Sequence, residues 1–131
     1  MYLPPKVHCI YTASVYKDRI YATVNVNKLY VKTLKIDTGA DACVITTEDL
    51  QDIPFPIKIL PCNNVLRGCG GAKTKNIGST FLGVSFKDKT ICTKFNIVEA
   101  PGSPSMLGCS PSQELGIITA NVDELTALHH V

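Results

Sequence analysis

The chain has 131 residues, 45% of them apolar and 18% charged, with a formal net charge of +2. That length holds one core rather than two full lobes, and so small a charge argues against a nucleic-acid or membrane-surface partner. No apolar run approaches the roughly 18 residues of a membrane span, and Met1-Tyr2-Leu3-Pro4-Pro5-Lys6 lacks a signal peptide's apolar stretch, so the chain reads as one not addressed for secretion.

In chain order, Val7, Cys9 and Tyr11 alternate, Lys17-Asp18-Arg19 predicts a turn, and Ala22, Val24 and Val26 alternate again before a second turn at Asn27-Lys28. Val31, Leu34 and Ile36 lead to Asp37, and Ala42-Cys43-Val44-Ile45 forms another apolar run. Thr46 stands three residues before Asp49, with Leu50 and Ile53 at helical spacing, which predicts one or two helical turns ended by Pro54-Phe55-Pro56. Leu66-Arg67-Gly68-Cys69-Gly70-Gly71 predicts a glycine-rich hairpin. Residues 81–86 and 90–98 read as strands joined across Lys87-Asp88-Lys89, and Glu99-Ala100-Pro101-Gly102-Ser103-Pro104 reads as a loop. Ser110 as N-cap, Pro111 at the first helical position and Gln113 three residues after the cap predict a short helix with a capping box, and Gly116 predicts its stop. With no repeat and no linker, the expectation is a single all-β domain over 1–131, its core at about 20–118.

Chemistry concentrates at Asp37-Thr38-Gly39, where an apolar strand would deliver a carboxylate into a tight turn. Peptide hydrolysis by carboxylates needs two of them: one ionised to take a proton from the attacking water, the other protonated to hydrogen-bond the scissile carbonyl. The chain has no second Asp-Thr-Gly or Asp-Ser-Gly, so the partner would come from a second copy across a two-fold axis.

The six cysteines, Cys9, Cys43, Cys62, Cys69, Cys92 and Cys109, include no C-x-x-C pair. They read as free thiols, several of them small core hydrophobes. His129-His130 lies at the chain end with no Cys or carboxylate at ligand spacing and reads as a tail rather than a metal site. Lys73 and Lys75 read as a solvated face.

Residues 24–45, V-N-V-N-K-L-Y-V-K-T-L-K-I-D-T-G-A-D-A-C-V-I, resemble the catalytic segment of retropepsins, especially those of long-terminal-repeat retrotransposons. Three further segments fall in that family's order: the glycine-rich hairpin, the following strand pair, and Met106-Leu107-Gly108 running into a helix that closes at Leu115-Gly116-Ile117. The resemblance spans about residues 20–118. It implies a closed β-barrel or sandwich with a flap hairpin and one short C-terminal helix, working as a homodimer.

The resemblance also implies roles. Asp37 would be the catalytic carboxylate, Thr38 would bond across the dimer, and Gly39 would allow close approach. Ala40 and Asp41 would line the substrate cleft, while Gly68, Cys69, Gly70 and Gly71 would form the flap tip that closes on an extended peptide. Met106 and Leu107 would pack beneath the catalytic turn and complete the substrate-binding set. The chain departs from the family in three places: Cys69 stands where many relatives carry an aromatic residue, Gly108-Cys109-Ser110 lacks the basic residue that usually follows the glycine, and Lys35 stands where relatives are mostly apolar.

The function implied is that of an aspartic endopeptidase cleaving extended segments of a retrotransposon-type polyprotein by activated water. It implies no metal and no other cofactor, no nucleic-acid or membrane partner, and an intracellular place, in the cytoplasm or inside virus-like particles. The alternatives are a domesticated or inactive retropepsin-like dimer serving as a peptide-binding or assembly module, and a thiol-based redox or zinc module.

Overall fold

The computed structural model of the chain describes residues 13–16, 19–61, 66–67 and 73–118. The expected strand around Val7, Cys9 and Tyr11, the Lys17-Asp18 turn, the tip at Gly68, Cys69, Gly70 and Gly71, and His129-His130 lie outside these residues.

Alternation builds the first sheet. Strand β1 (Ala13–Tyr16) pairs antiparallel with β2 (Arg19–Val26), which sends Ala22, Val24 and Val26 into the core and pairs in turn with β3 (Tyr30–Asp37). The Asn27-Lys28 turn is as expected, with φ of 50° and 62° and the Leu29 N–H donating to the Val26 carbonyl at 3.1 Å. Asparagine tolerates that region, whereas lysine enters it at a cost that tertiary contacts must offset. The Asn27 N–H donates to the Gly83 carbonyl at 2.7 Å, and the Asn27 Oδ1 accepts from the Gly83 N–H at 2.7 Å. Those two bonds lock the turn onto a strand 56 residues away in sequence.

Next come β4 (Cys43–Thr46) and helix α1 (Thr47–Asp52), whose expected start is present: the Thr46 hydroxyl accepts from the Asp49 N–H at 3.2 Å. Strand β5 (Leu66–Arg67) pairs with the start of β6 (Lys73–Phe86), and β6 turns at Lys87-Asp88 into β7 (Lys89–Glu99). The chain then forms β8 (Met106–Gly108) and helix α2 (Cys109–Glu114). The strand order is β1-β2-β3-β8-β4-β7-β6-β5, and a further β2–β6 pairing, Asn25 with Ser85 and Val26 with Val84, closes β2, β3, β8, β4, β7 and β6 into a barrel. The architecture is the expected all-β closed barrel.

Inside it pack Leu34, Leu82, Phe95, Ile97, Leu107 and Leu115, each at most 2% exposed. Burial of side chains this size stabilises the fold by about 1.5–3 kcal/mol each. Among the described residues no helix is long and apolar enough to cross a membrane.

The start of α2 differs from the expectation. Its N-cap is Gly108, with no side-chain cap bond, so Ser110 lies inside the first turn and the Ser110–Gln113 capping box does not form. The cause is tertiary: β8 is held by its sheet partners to Gly108, and the chain turns directly into the helix from there. Pro111 is still tolerated, because a first-turn N–H has no partner within the helix. The expected stop is present. Gly116 has φ 75°, its N–H donates to the Gln113 carbonyl at 3.0 Å, and the Ile117 N–H donates to the Ser112 carbonyl at 3.0 Å.

Candidate active site

On β3 the residues alternate between two environments: Leu34 and Ile36 are buried in the core, while Lys35 and Asp37 stand partly exposed on the opposite face. Strand β8 runs parallel to β3, pairing Lys35 with Met106, Ile36 with Leu107 and Asp37 with Gly108. Asp37 is therefore the last residue of a strand flanked on both sides, by β2 and by β8. Its carboxylate bends back over the turn, with Oδ1 accepting from the Gly39 N–H at 3.0 Å, and its carbonyl accepts from the Ala40 N–H at 3.3 Å. An aspartate that bonds the N–H two residues on organises its own turn. Here that fixes one carboxylate oxygen on a residue that stands partly exposed.

The turn is clamped from below by the β8–α2 junction. The Cys109 N–H donates to the Ala40 carbonyl at 2.7 Å. The Gly108 N–H donates to the Cys43 Sγ at 3.4 Å, which brings β4 into the same knot. Burial pushes the Cys43 thiol up from its ordinary pKa, against the smaller opposing pulls of the Gly108 N–H and the Thr93 hydroxyl, so it is a neutral packing group.

Thr38, Gly39 and Asp41 are exposed and Ala40 is partly buried, so the turn presents a bare surface. Met106 is partly buried beside Lys35. Leu107 is 0% exposed and belongs to the core, so of the two residues placed beneath the turn only Met106 reaches the surface. The flap tip lies outside the described residues, but its stem is formed: Leu66 pairs with Thr74 and Arg67 with Lys73.

One cluster was missed in the sequence. Asp49, on α1, accepts from the Lys32 Nζ at 2.7 Å and from the Ser105 hydroxyl, and that hydroxyl accepts from the Thr46 N–H at 3.0 Å. Burial alone would raise the Asp49 pKa, but the bonds from Lys32 and Ser105, the Lys32 charge and the bond involving Thr46 outweigh it and hold the carboxyl below its ordinary value. The Ser105 carbonyl also accepts from the Lys35 N–H at 3.0 Å, so the cluster ties the 100–105 loop to β3 one step before β8 begins. The four residues are scattered over 74 positions of sequence, from Lys32 to Ser105; a Thr-x-x-Asp cap was the visible part. A cavity of about 480 Å³ beside this cluster, lined in part by Arg19, Tyr21 and Glu48, does not include Asp37. Among the described residues no group of His, Cys, Asp and Glu is arranged to hold a metal.

Residues 16–118 match the family described as retroviral aspartyl protease. A comparison with curated proteins finds no match. Among solved structures the chain is similar to EIAV protease complexed with the inhibitor HBY-793, at 25% identity and a TM-score of 0.65, over 79% of this chain and 95% of that one. The closed barrel agrees with both comparisons: the chain belongs to the retroviral aspartyl protease family and is an aspartic endopeptidase of the retropepsin type.

Proposed function

We propose that the chain acts as a homodimer, one domain per subunit, that cuts extended segments of a retrotransposon-type polyprotein, with Asp37 of each copy forming the catalytic pair. One observation carries this reading: each chain supplies a single Asp-Thr-Gly, whose carboxylate is pinned by Gly39 on a half-open surface and finds no second carboxylate in its own turn except the exposed Asp41. Members of the family act as dimers on peptide substrates.

In the dimer the two Asp37 carboxylates lie close enough that both cannot ionise, so the pair holds one proton. The ionised member takes a proton from water as that water attacks the scissile carbonyl, and the protonated member stabilises the developing oxyanion. The tetrahedral intermediate then collapses as the nitrogen is protonated and leaves, and no covalent enzyme adduct forms. Thr38 joins the two turns, Gly39 allows close approach, and Ala40 and Asp41 hold the peptide backbone. Gly68, Cys69, Gly70 and Gly71 close over it as a flap, and Met106, with Leu107 behind it, forms the floor. The reaction uses no cofactor, and the work belongs in the cytoplasm or in virus-like particles.

Subunit mixing tests this. Wild-type protein should lose activity in proportion to the heterodimer formed when excess Asp37→Asn chain is added, because a mixed pair has one carboxylate. Activity undiminished by the variant, in samples shown by sedimentation to exchange subunits, would refute the shared pair.

A further inference from the structure

Lys35 and Asp37 are two residues apart on β3 and share its partly exposed face, opposite the buried Leu34 and Ile36. At roughly 3.3 Å per residue their Cα atoms stand about 6.6 Å apart, within reach of a lysine side chain. The parallel register sets Met106 beside Lys35 and Gly108 beside Asp37. Lys35 and Met106 thus flank the carboxylate on one side, where the substrate residue next to the cut bond would rest.

Among the described residues the salt bridge is Lys32 with Asp49, at 2.7 Å, and Lys35 forms none. The nearest acids by position are Asp37, on the same face, and the exposed Asp41 beyond the turn. An apolar substrate side chain over this spot would cover an ammonium group without giving it a partner, while a carboxylate would give it a charge-assisted hydrogen bond. Lysine's carbon stem can lie along Met106 and still present its charge at the end.

We propose that Lys35 determines specificity: it selects substrates with an Asp or Glu side chain beside the scissile bond. This rests on the reading of Asp37 as the catalytic carboxylate. Because the dimer would carry two copies of Lys35, one on each side of the two-fold axis, an acid is favoured on either side of the cut.

The test uses the full chain and a peptide series varied only at the residues flanking the cut, with Glu, Gln, Leu or Lys. Wild-type protein should favour Glu over Gln by on the order of tenfold in kcat/KM at low salt, with the ratio shrinking as salt rises. The ratio should fall to about one in Lys35→Met, stay in Lys35→Arg, and give way to a preference for Lys in Lys35→Glu. Equal Glu to Gln ratios in wild type and Lys35→Met would overturn the inference, as expected of a lysine that leans out into water. Where a Lys35 variant does not fold, binding of the Glu and Gln peptides to Asp37→Asn protein decides: equal affinity overturns it. Absence of any Asp37-dependent cleavage would sink the catalytic reading and this inference together, whereas Asp37-dependent cleavage without acid preference sinks this one alone.

Discussion

Gly108 lies so close to the backbone of Asp41 that a Cβ at position 108 would stand 2.6 Å from the Asp41 carbonyl oxygen and 3.0 Å from that of Ala40. Both neighbours are backbone, so neither can swing aside as a side chain would. Gly108→Ala should therefore displace the 37–41 turn, at a cost of about 1–3 kcal/mol. The expected result is a lowered urea midpoint together with loss of peptide cleavage at temperatures where the variant is still folded. Full activity in a folded Gly108→Ala protein would show that the clamp does not position Asp37.

The Asp49 cluster should make stability depend on acidity. Because its folded pKa is lowered, its contribution is fully present above the unfolded aspartate value of about 3.9 and disappears as pH falls through the lower folded value. Asp49→Asn should cost about 1–3 kcal/mol at neutral pH, because it removes the charge that pairs with Lys32 and replaces one of the two oxygens that accept from Lys32 and Ser105 with a donor. Urea midpoints of wild type and variant, measured from pH 7 down to 2, should converge at the acid end. A constant gap would contradict the assignment.

Thiol reactivity should follow burial. Cys43 is 2% exposed with its pKa raised, while Cys92 is exposed on β7. Iodoacetamide on the native protein should modify Cys92 quickly and Cys43 only after unfolding, with mass mapping as the readout. The contribution of Cys43 to stability is present below the ordinary thiol pKa of 9.0 and is lost as pH rises through its higher folded value. Modification of Cys43 in folded protein at pH 7 would mean that the knot under the Asp37 turn opens.

Met106 and Leu107 should separate when each is cut back. Leu107→Ala removes a fully buried side chain and should cost about 2–5 kcal/mol, read as a fall in thermal midpoint. Met106→Ala should cost less and should shift which peptides are cut. An unchanged peptide preference in Met106→Ala would take that residue out of the cleft.

Local pattern carried most of the fold. The Ala22, Val24, Val26 alternation, the Asn27-Lys28 turn, the Thr46 cap and the Gly116 stop each depend on neighbours in the chain, and each is present. The start of α2 was misread because Ser110-Pro111 is a good local signal that sheet pairing at Gly108 overrides. The Lys32, Asp49, Ser105 cluster could not be seen, since nothing in sequence links residues so far apart until the barrel brings them together. At the site, Asp37 stood out by its motif, and Lys35 registered as an oddity whose place beside Asp37 follows from the strand's two-residue period. The need for glycine at 108 required the third dimension.

The parallel pairing of β3 with β8 has a consequence in time. It joins residues some seventy positions apart, so the chain must close a long loop before the Asp37 turn gains its second flank. During synthesis, β2 and β3 can pair as soon as they emerge, but Gly108 and Cys109 arrive only after β7 is complete. The carboxylate-bearing turn is expected to be among the last parts to set, leaving the growing chain without the formed turn that is proposed as its catalytic centre while the rest of its polypeptide is still exposed. Hydrogen exchange on stalled chains should show protected β2–β3 amides before the Gly39 and Ala40 amides become protected, and the reverse order would rule this out.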